Sequence, residues 1–518
     1  MIGQATKDKS VGFNYAIIIL MLNASALIFC LLILLELGIW SLSSSTRRVV
    51  AAGVAAELVP ITAWFVLTYF TWYALPLLLI VAYRLFNLLR VVARRRQPDH
   101  MYRVTRQASL WLALVQTVTV ALAITAPRLT PASLTIIASV ILIGVIILAT
   151  STQRNLKTTR PKPVTALADQ ADLPTVSVLI PARNETNDLN ECLESLVRSA
   201  YPKLEIIVLD DCSQNKRTPE IIKGFAHAGV RFIAGSATPS AWLAKNHACQ
   251  QLVTAASSDL LLFCGVDTRF KPGTIEQMVL SLLQKQKTMV SFIPANIAPR
   301  AATFASLLVQ PSRYAWEVAL PRRSLDRPPV LSSAWLIQRQ TLVSAGNFAA
   351  FSRSITPERY LARYAAAHND GYSFEQSDTL EGVASAKSFQ AQRATAIRTR
   401  YPQLHQSLEL TALTSFVELA VLVVPFILLI VAIVNQQWLL GGLAVTACLL
   451  LISMYTQIVN LTYRRFLVRG LWLLPVAAIY DVLLLNYSMY KYEFSIVQWK
   501  GRNVCIPVMQ VIERLPKV

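Results

Sequence analysis

Apolar runs near the length that crosses a hydrocarbon core of about 30 Å occupy residues 15–40, 59–83, 110–126 and 134–149. They predict four membrane helices ahead of any other element. The first run is longer than a signal-peptide core and no small-residue cleavage pattern follows it, which makes it an uncleaved span. After residue 172 the pattern changes to short β-branched runs (176–180, 205–209, 231–234, 260–264) alternating with helix-like stretches (189–199, 219–227, 241–255). Such alternation predicts an α/β domain with a mostly parallel sheet. Lipid-length apolarity returns at 411–433 and 438–458, and a third run, 471–490, is interrupted by Pro475, Asp481 and Asn486.

Basic residues orient these elements. Seven arginines (Arg84, Arg90, Arg94, Arg95, Arg96, Arg103 and Arg106) against Asp99 separate the second and third runs, whereas only Arg128 lies between the third and fourth. The Arg-rich loop belongs in the cytoplasm. The stretch after the fourth helix, with Arg154, Lys157, Arg160 and Lys162, returns to that side, and so does the domain after it. Around run 471–490, Arg464, Arg465 and Arg469 precede and Lys491, Lys500 and Arg502 follow, so a re-entrant or interfacial helix keeps both clusters cytoplasmic. Six crossings plus that segment are favoured over seven. The resulting division is a four-helix transmembrane block (1–150), a basic linker (151–171), a cytoplasmic α/β domain (172–402), and a C-terminal transmembrane hairpin with an interfacial helix and basic tail (403–518).

Composition agrees. Hydrophobic residues make up 54% and charged residues 15% of the chain, against about a quarter charged in a soluble domain. The 49 Lys+Arg against 29 Asp+Glu point to cytoplasmic loops and anionic lipids rather than nucleic acid. The seven cysteines include no C-x-x-C pair, which suggests neither a zinc site nor a disulfide framework.

Chemistry-bearing residues recur at strand ends. Val176-Ser-Val-Leu-Ile-Pro-Ala-Arg-Asn-Glu185 runs from a buried strand into a turn, and the second strand ends in Asp210-Asp-Cys-Ser213. Open parallel sheets bind ligands at such ends; taken singly, an Asp-Asp there also suits a helix cap or turn. Downstream come Ala241-Trp-Leu-Ala-Lys-Asn-His-Ala248, Asp259-Leu-Leu-Leu-Phe-Cys-Gly-Val-Asp-Thr268 and the run from Ser333 to Gly346.

In this order and spacing the chain resembles membrane-bound family 2 glycosyltransferases of GT-A fold. The resemblance covers about residues 175–401 and continues in Trp499-Lys-Gly-Arg502, similar to an ending in the ceramide, hopanoid and carotenoid glycosyltransferase branches. It implies that Pro181, Ala182, Arg183, Asn184 and Glu185 line a nucleotide-sugar pocket, that Asp210 or Asp211 faces base and ribose, and that Lys245 lies near the diphosphate. Lys245 also reads as a solvated helix lysine, and His247 as structural. Arg400, Trp499 and Arg502 are candidates to close over the diphosphate, or else interfacial anchors.

The sequence departs from the family pattern twice. The Asp-x-Asp that holds Mg²⁺ or Mn²⁺ is Gly265-Val-Asp267 here, which leaves Asp267 as the metal ligand. The Glu-Asp carrying the base becomes Pro357-Glu358, so Glu358 is the candidate catalytic base, although Thr356-Pro-Glu is also a good helix start. The implied function is transfer of one sugar from a UDP-sugar or similar donor to a membrane lipid hydroxyl with inversion, at the plasma membrane. The alternative is a catalytically impaired relative that binds a nucleotide or partner.

Overall fold

The computed structural model describes residues 130–160, 173–296, 304–309, 314, 317–318, 328–368, 371–377, 382–463, 473–493 and 496–505. The three predicted spans at 15–40, 59–83 and 110–126 lie outside them. By contacts the chain forms two units, residues 1–136 and 137–518. Every described element belongs to the second unit, apart from the first turns of the helix that begins at residue 131.

That helix, α1 (Pro131–Thr158), outlasts the predicted fourth span, so the first eight residues of the expected linker are helical. The reason is local and tertiary together. No stop signal follows Ala149, and the Thr152 hydroxyl donates back to Leu148 O at 2.8 Å. The end is then fastened to the α/β domain, where Gln376 Nε2 donates to Leu156 O at 2.7 Å and Gln376 N to Thr159 O at 2.9 Å.

The first elements of the α/β domain follow in the predicted order: β1 (Val176–Ala182), α2 (Asn187–Val197), β2 (Leu204–Asp210), α3 (Arg217–Gly224), β3 (Val230–Ala234), α4 (Ala244–Ala255) and β4 (Leu260–Cys264). Beyond them the main elements are β5 (Thr268–Phe270), α5 (Thr274–Gln284), β6 (Met289–Ile293), β7 (Ala295–Asn296), β8 (Ala334–Gln338), α6 (Pro357–Ala367), β9 (Tyr372–Gln376) and β10 (Val383–Ser385). Seven strands form one sheet in the order β3-β2-β1-β4-β8-β6-β9, and β5-β10-β7 form a small second sheet. Every pairing in the large sheet is parallel except the two made by β8. It is a mixed, mostly parallel sheet, as the run pattern predicted.

The apolar runs are continuous because both faces are covered. Side chains alternate across the sheet, so Val176, Val178 and Ile180 join Leu189, Leu193 and Ile275 on one face, while Leu179, Ile207 and Phe263 join Leu252, Trp335 and Phe348 on the other. At the antiparallel seam Phe263 faces Trp335, and their rings stack at 4.1 Å between centroids.

The C-terminal part holds α7 (Phe389–Gln403), α8 (Leu408–Leu422), α9 (Val424–Val434), α10 (Trp438–Tyr463), α11 (Leu474–Glu493) and a hairpin of β11 (Gln498–Trp499) and β12 (Arg502–Asn503). The expected single span at 411–433 is broken: α8 and α9 meet at 42°. Pro425 at the start of α9 supplies no N–H to the turn before it and disfavours helical backbone at Val424, which separates the two at Val423. Among the described residues α1 and α10 are long and apolar enough to cross a membrane, and the bent pair raises that to three if it counts as one span.

Candidate functional site

The chain places β1, β2 and β3 outward in turn and then returns to set β4 on the other side of β1. Such a reversal opens a crevice at the carboxyl ends of the strands. Three chemically distinctive strand ends meet there.

At the first, Arg183 is buried and donates from Nη1 to Asp211 O and Cys212 O, both at 2.6 Å. It ties the ends of β1 and β2 together rather than presenting its charge to solvent. Asn184 sits at φ 50°, donates its N–H to Ser213 Oγ at 2.8 Å and accepts from Gln214 N at 2.8 Å. Glu185 pairs with Lys500 at 2.9 Å; burial still pushes its carboxyl above the usual value.

At the second, the two acids separate. Asp210 accepts from the Ser213 hydroxyl and closes its own turn, the local role that an Asp after a strand often plays. Asp211 is buried and pairs with Arg502 Nη1 at 2.7 Å. Burial raises its carboxyl, against the pull of Arg502 and Arg183. At the third end, Asp267 pairs with Lys387 at 3.3 Å.

A cavity opens beside these ends, with Arg502 in its lining. Its charged lining is Lys245, Arg398 and Arg502 against one acid, Glu358. Lys245 starts α4, whose Asn246 holds the facing loop by donating to Phe351 O, Ser352 O and Ser354 O at 2.8–3.2 Å. Glu358 comes from the first turn of α6, where Pro357 needs no donor. The residue is 3% exposed, and its Oε2 has no hydrogen-bond partner. Neighbouring Arg359 is turned to Glu317 instead.

The far wall is the β11–β12 hairpin. Lys500 and Gly501 have φ of 48° and 77°, which suits the two-residue type I′ turn between paired strands. Trp499 lies 5.6 Å from the Arg398 guanidinium, centroid to carbon, and Arg502 and Lys500 reach Asp211 and Glu185.

Arg400, expected over the diphosphate, faces elsewhere: it pairs with Asp481 of α11 and lies 3.6 Å from Glu418 of α8. At 3.6 residues per turn, positions two apart point roughly 200° apart, so Arg398 and Arg400 cannot share a face. Thr395, Arg398 and Thr399, at helical spacing, line the cavity. That spacing was the signal for Arg398; nothing local marks Lys387 or Lys500.

The donor set does not make a resident site for Mg²⁺ or Mn²⁺. A hard divalent cation takes several oxygen ligands, whereas Asp267 stands against an ammonium, Gly265 offers no carboxylate, and no three His, Cys, Asp or Glu side chains converge among the described residues.

Half-buried His247 packs edge-on to Trp242, and burial holds its imidazole below the usual value, with Asp211 opposing that shift and Arg502 adding to it. The folded state therefore binds fewer protons than the unfolded chain below the ordinary histidine value of about 6.5. The neutral ring's contribution is complete above that value and is lost as pH falls. His247→Gln should flatten the loss of thermal stability between about pH 7 and pH 5. An unchanged slope would remove His247 as its source.

Residues 177–327 match the family model described as Glycosyl transferase family 2. The 4,4'-diaponeurosporenoate glycosyltransferase of Staphylococcus aureus (strain USA300) is 28% identical over 127 residues, 24% of this chain and 33% of that protein; strain bovine RF122 / ET3-1 has a relative of the same identity and coverage. The match thus spans a third of the length of these relatives. Among solved structures, the mannosyltransferase PcManGT from Pyrobaculum calidifontis, in complex with GDP-Man and Mn²⁺, is 17% identical with a TM-score of 0.41, covering 69% of this chain and 98% of its own. S. aureus TarS 1-349 is 12% identical with a TM-score of 0.30, covering 62% and 91%.

Proposed function

We propose that this family 2 glycosyltransferase domain transfers one sugar from a nucleotide-diphosphate sugar to the hydroxyl of a membrane lipid, with inversion. The observation that carries the reading is the buried, unpartnered Glu358 Oε2 in a cavity whose other charged lining residues, Lys245, Arg398 and Arg502, are cations. A carboxylate oxygen without a partner is costly to bury, and an acceptor hydroxyl would supply the missing bond. The acceptor oxygen attacks the anomeric carbon as its proton passes to Glu358. The carbon–oxygen bond to the diphosphate breaks, and the nucleoside diphosphate leaves with the electron pair.

Charge complementarity assigns the other roles. Lys245, Arg398 and Arg502 face the leaving diphosphate. Asp211 is the acid for base and ribose, with residues 181–185 forming that wall and Asp210 supporting the turn. The donor is a UDP-sugar in this reading.

The acceptor arrives from the bilayer. The cavity wall of Thr395 and Arg398 belongs to α7, which leads into α8, where Leu413 and Phe416 are exposed at 58% and 64%. Contiguous apolar exposure of that kind belongs against lipid. The protein sits in the plasma membrane as a multi-pass chain with the catalytic domain cytoplasmic and basic segments on anionic lipids, an orientation that the arginine distribution favours. The chain divides into a membrane block (1–150), a linker (151–171) whose first eight residues extend α1, a catalytic domain (172–402) and a C-terminal membrane part (403–518).

The test is incubation of the purified full chain in lipid nanodiscs with a panel of nucleotide sugars and a membrane lipid extract, with products read by mass spectrometry and anomeric configuration by NMR. One added sugar of inverted configuration is the expected result. Nucleotide binding without turnover would instead establish the binding-only alternative that Gly265 and Pro357 motivate, and absence of both binding and turnover would end the transferase reading.

A further inference from the structure

Lys387 is built against Asp267 from two directions. Ala386 N donates to Asp267 O at 2.8 Å, continuing the β10–β5 pairing in which Ser385 opposes Thr268. On the other side the buried Gln392 donates to Lys387 O at 3.0 Å and to Tyr463 of α10 at 3.1 Å. The backbone carrying the ammonium is therefore held in register with the backbone carrying the carboxylate. The two side chains are 16% and 24% exposed, and Nζ lies 3.3 Å from Oδ2.

The other oxygen of Asp267 turns toward Gly265. A β-carbon at residue 265 would stand 2.7 Å from Oδ1, so any side chain there would force Asp267 to move. Glycine at 265 and lysine at 387 thus describe one arrangement. A pair of carboxylates needs a divalent cation to be neutral, whereas one carboxylate is already neutralised by one ammonium. Lys500 adds a second cation close by, paired with Glu185, whose carboxyl feels the charge of Asp267.

We infer that the Lys387 ammonium, held by Asp267, joins Lys245, Arg398 and Arg502 in receiving the donor's leaving diphosphate, so that transfer proceeds without a divalent metal. This rests on the glycosyltransferase reading above and specifies its electrostatics. The leaving diphosphate gains charge as its bond to the anomeric carbon breaks, and preorganised N–H donors stabilise such charge without reorganisation. Asp267 is a positioning residue in this arrangement, since it acts through Lys387.

Calorimetry on the detergent-solubilised full chain tests the inference, with inorganic pyrophosphate, UDP, GDP, ADP and CDP as probes, each in EDTA and in MnCl₂. The wild type is expected to bind pyrophosphate and one nucleoside diphosphate in EDTA within about twofold of the affinity in Mn²⁺. Lys387→Met should weaken binding in EDTA by about tenfold or more, with partial recovery in Mn²⁺ as the cation enters beside the freed Asp267. Lys387→Arg should bind as the wild type does. Wild-type binding that appears only with Mn²⁺, or Lys387→Met binding unchanged in EDTA, would overturn the inference and leave the transferase reading intact. If no nucleoside diphosphate binds with or without Mn²⁺, the donor reading fails and takes this inference with it. Should Lys387→Met not fold, the wild-type metal comparison and Lys387→Arg still decide.

Discussion

Glu358→Gln is expected to abolish sugar transfer while leaving nucleoside diphosphate affinity unchanged. The amide keeps the shape of the carboxylate but cannot take the acceptor proton, and a positioned general base contributes about 10²–10⁴-fold to rate. A loss of that size in kcat should appear without a loss of fold. Oε2 is already buried without a partner, so the substitution breaks no hydrogen bond at that oxygen. Glu358→Asp withdraws the oxygen by one methylene and should retain folding while losing on the order of 100-fold. Near wild-type kcat in Glu358→Gln would show that the proton leaves by another route, and the bland role of Thr356-Pro-Glu as a helix start would suffice.

Arg400→Met is expected to be the most destabilising single substitution. Asp481 is 1% and Glu418 0% exposed at the side chain, and the guanidinium of Arg400 lies between them. Removing one partner from such a buried group typically costs about 3–5 kcal/mol, because it strands the other charges. The unfolding temperature of the detergent-solubilised protein should fall sharply, or folded protein should not be recovered. Replacing all three together, Arg400→Met with Asp481→Leu and Glu418→Leu, should restore much of the loss, since well-packed apolar residues can replace a buried ion group at little net cost. Wild-type stability in Arg400→Met would mean that the cluster is solvated. The cluster also has a route to function. It joins α7 to α8 and α11, reinforced by Tyr401 N donating to Ser488 Oγ at 3.1 Å, and the opposite face of α7 carries Arg398 and Thr399 into the cavity. A damaged cluster should therefore also weaken diphosphate binding.

The fate of the three C-terminal candidates shows why a motif and a site are different things. Trp499, Arg502 and Arg400 entered together as basic or aromatic residues near the membrane. The first two line the cavity because a type I′ turn at Lys500-Gly501 folds the hairpin back onto Asp211 and Glu185, contacts that span 291 residues or more in sequence. Arg400 went the other way because its helical phase aims it at Asp481. Phase was readable from spacing alone. The partner was not, because Asp481 lies 81 residues downstream in a run whose one acid first suggested a break in a membrane helix.

Local physics determined much of this protein before any tertiary contact. The length of apolar runs predicted membrane helices, and among the described residues α1 and α10 are long and apolar enough to be such; the distribution of arginine sets an expectation of orientation. Strand-length apolar runs separated by helical spacing predicted the order of β1 to β4, since backbone pairing and burial act on period and run length. The ordered strand-end motifs pointed to the carboxyl end of the sheet, where Arg183, Asp211 and Asp267 follow neighbouring strands. Only the tertiary structure decided which charges meet. It turned Asp210 inward to its own turn and Asp211 toward Arg502, buried Arg183 as a tie between strands, left Glu358 Oε2 without a partner, and set Lys387 against Asp267. Those outcomes depend on pairings between residues far apart in the chain, where the sign of an interaction follows from distance and burial rather than from residue type.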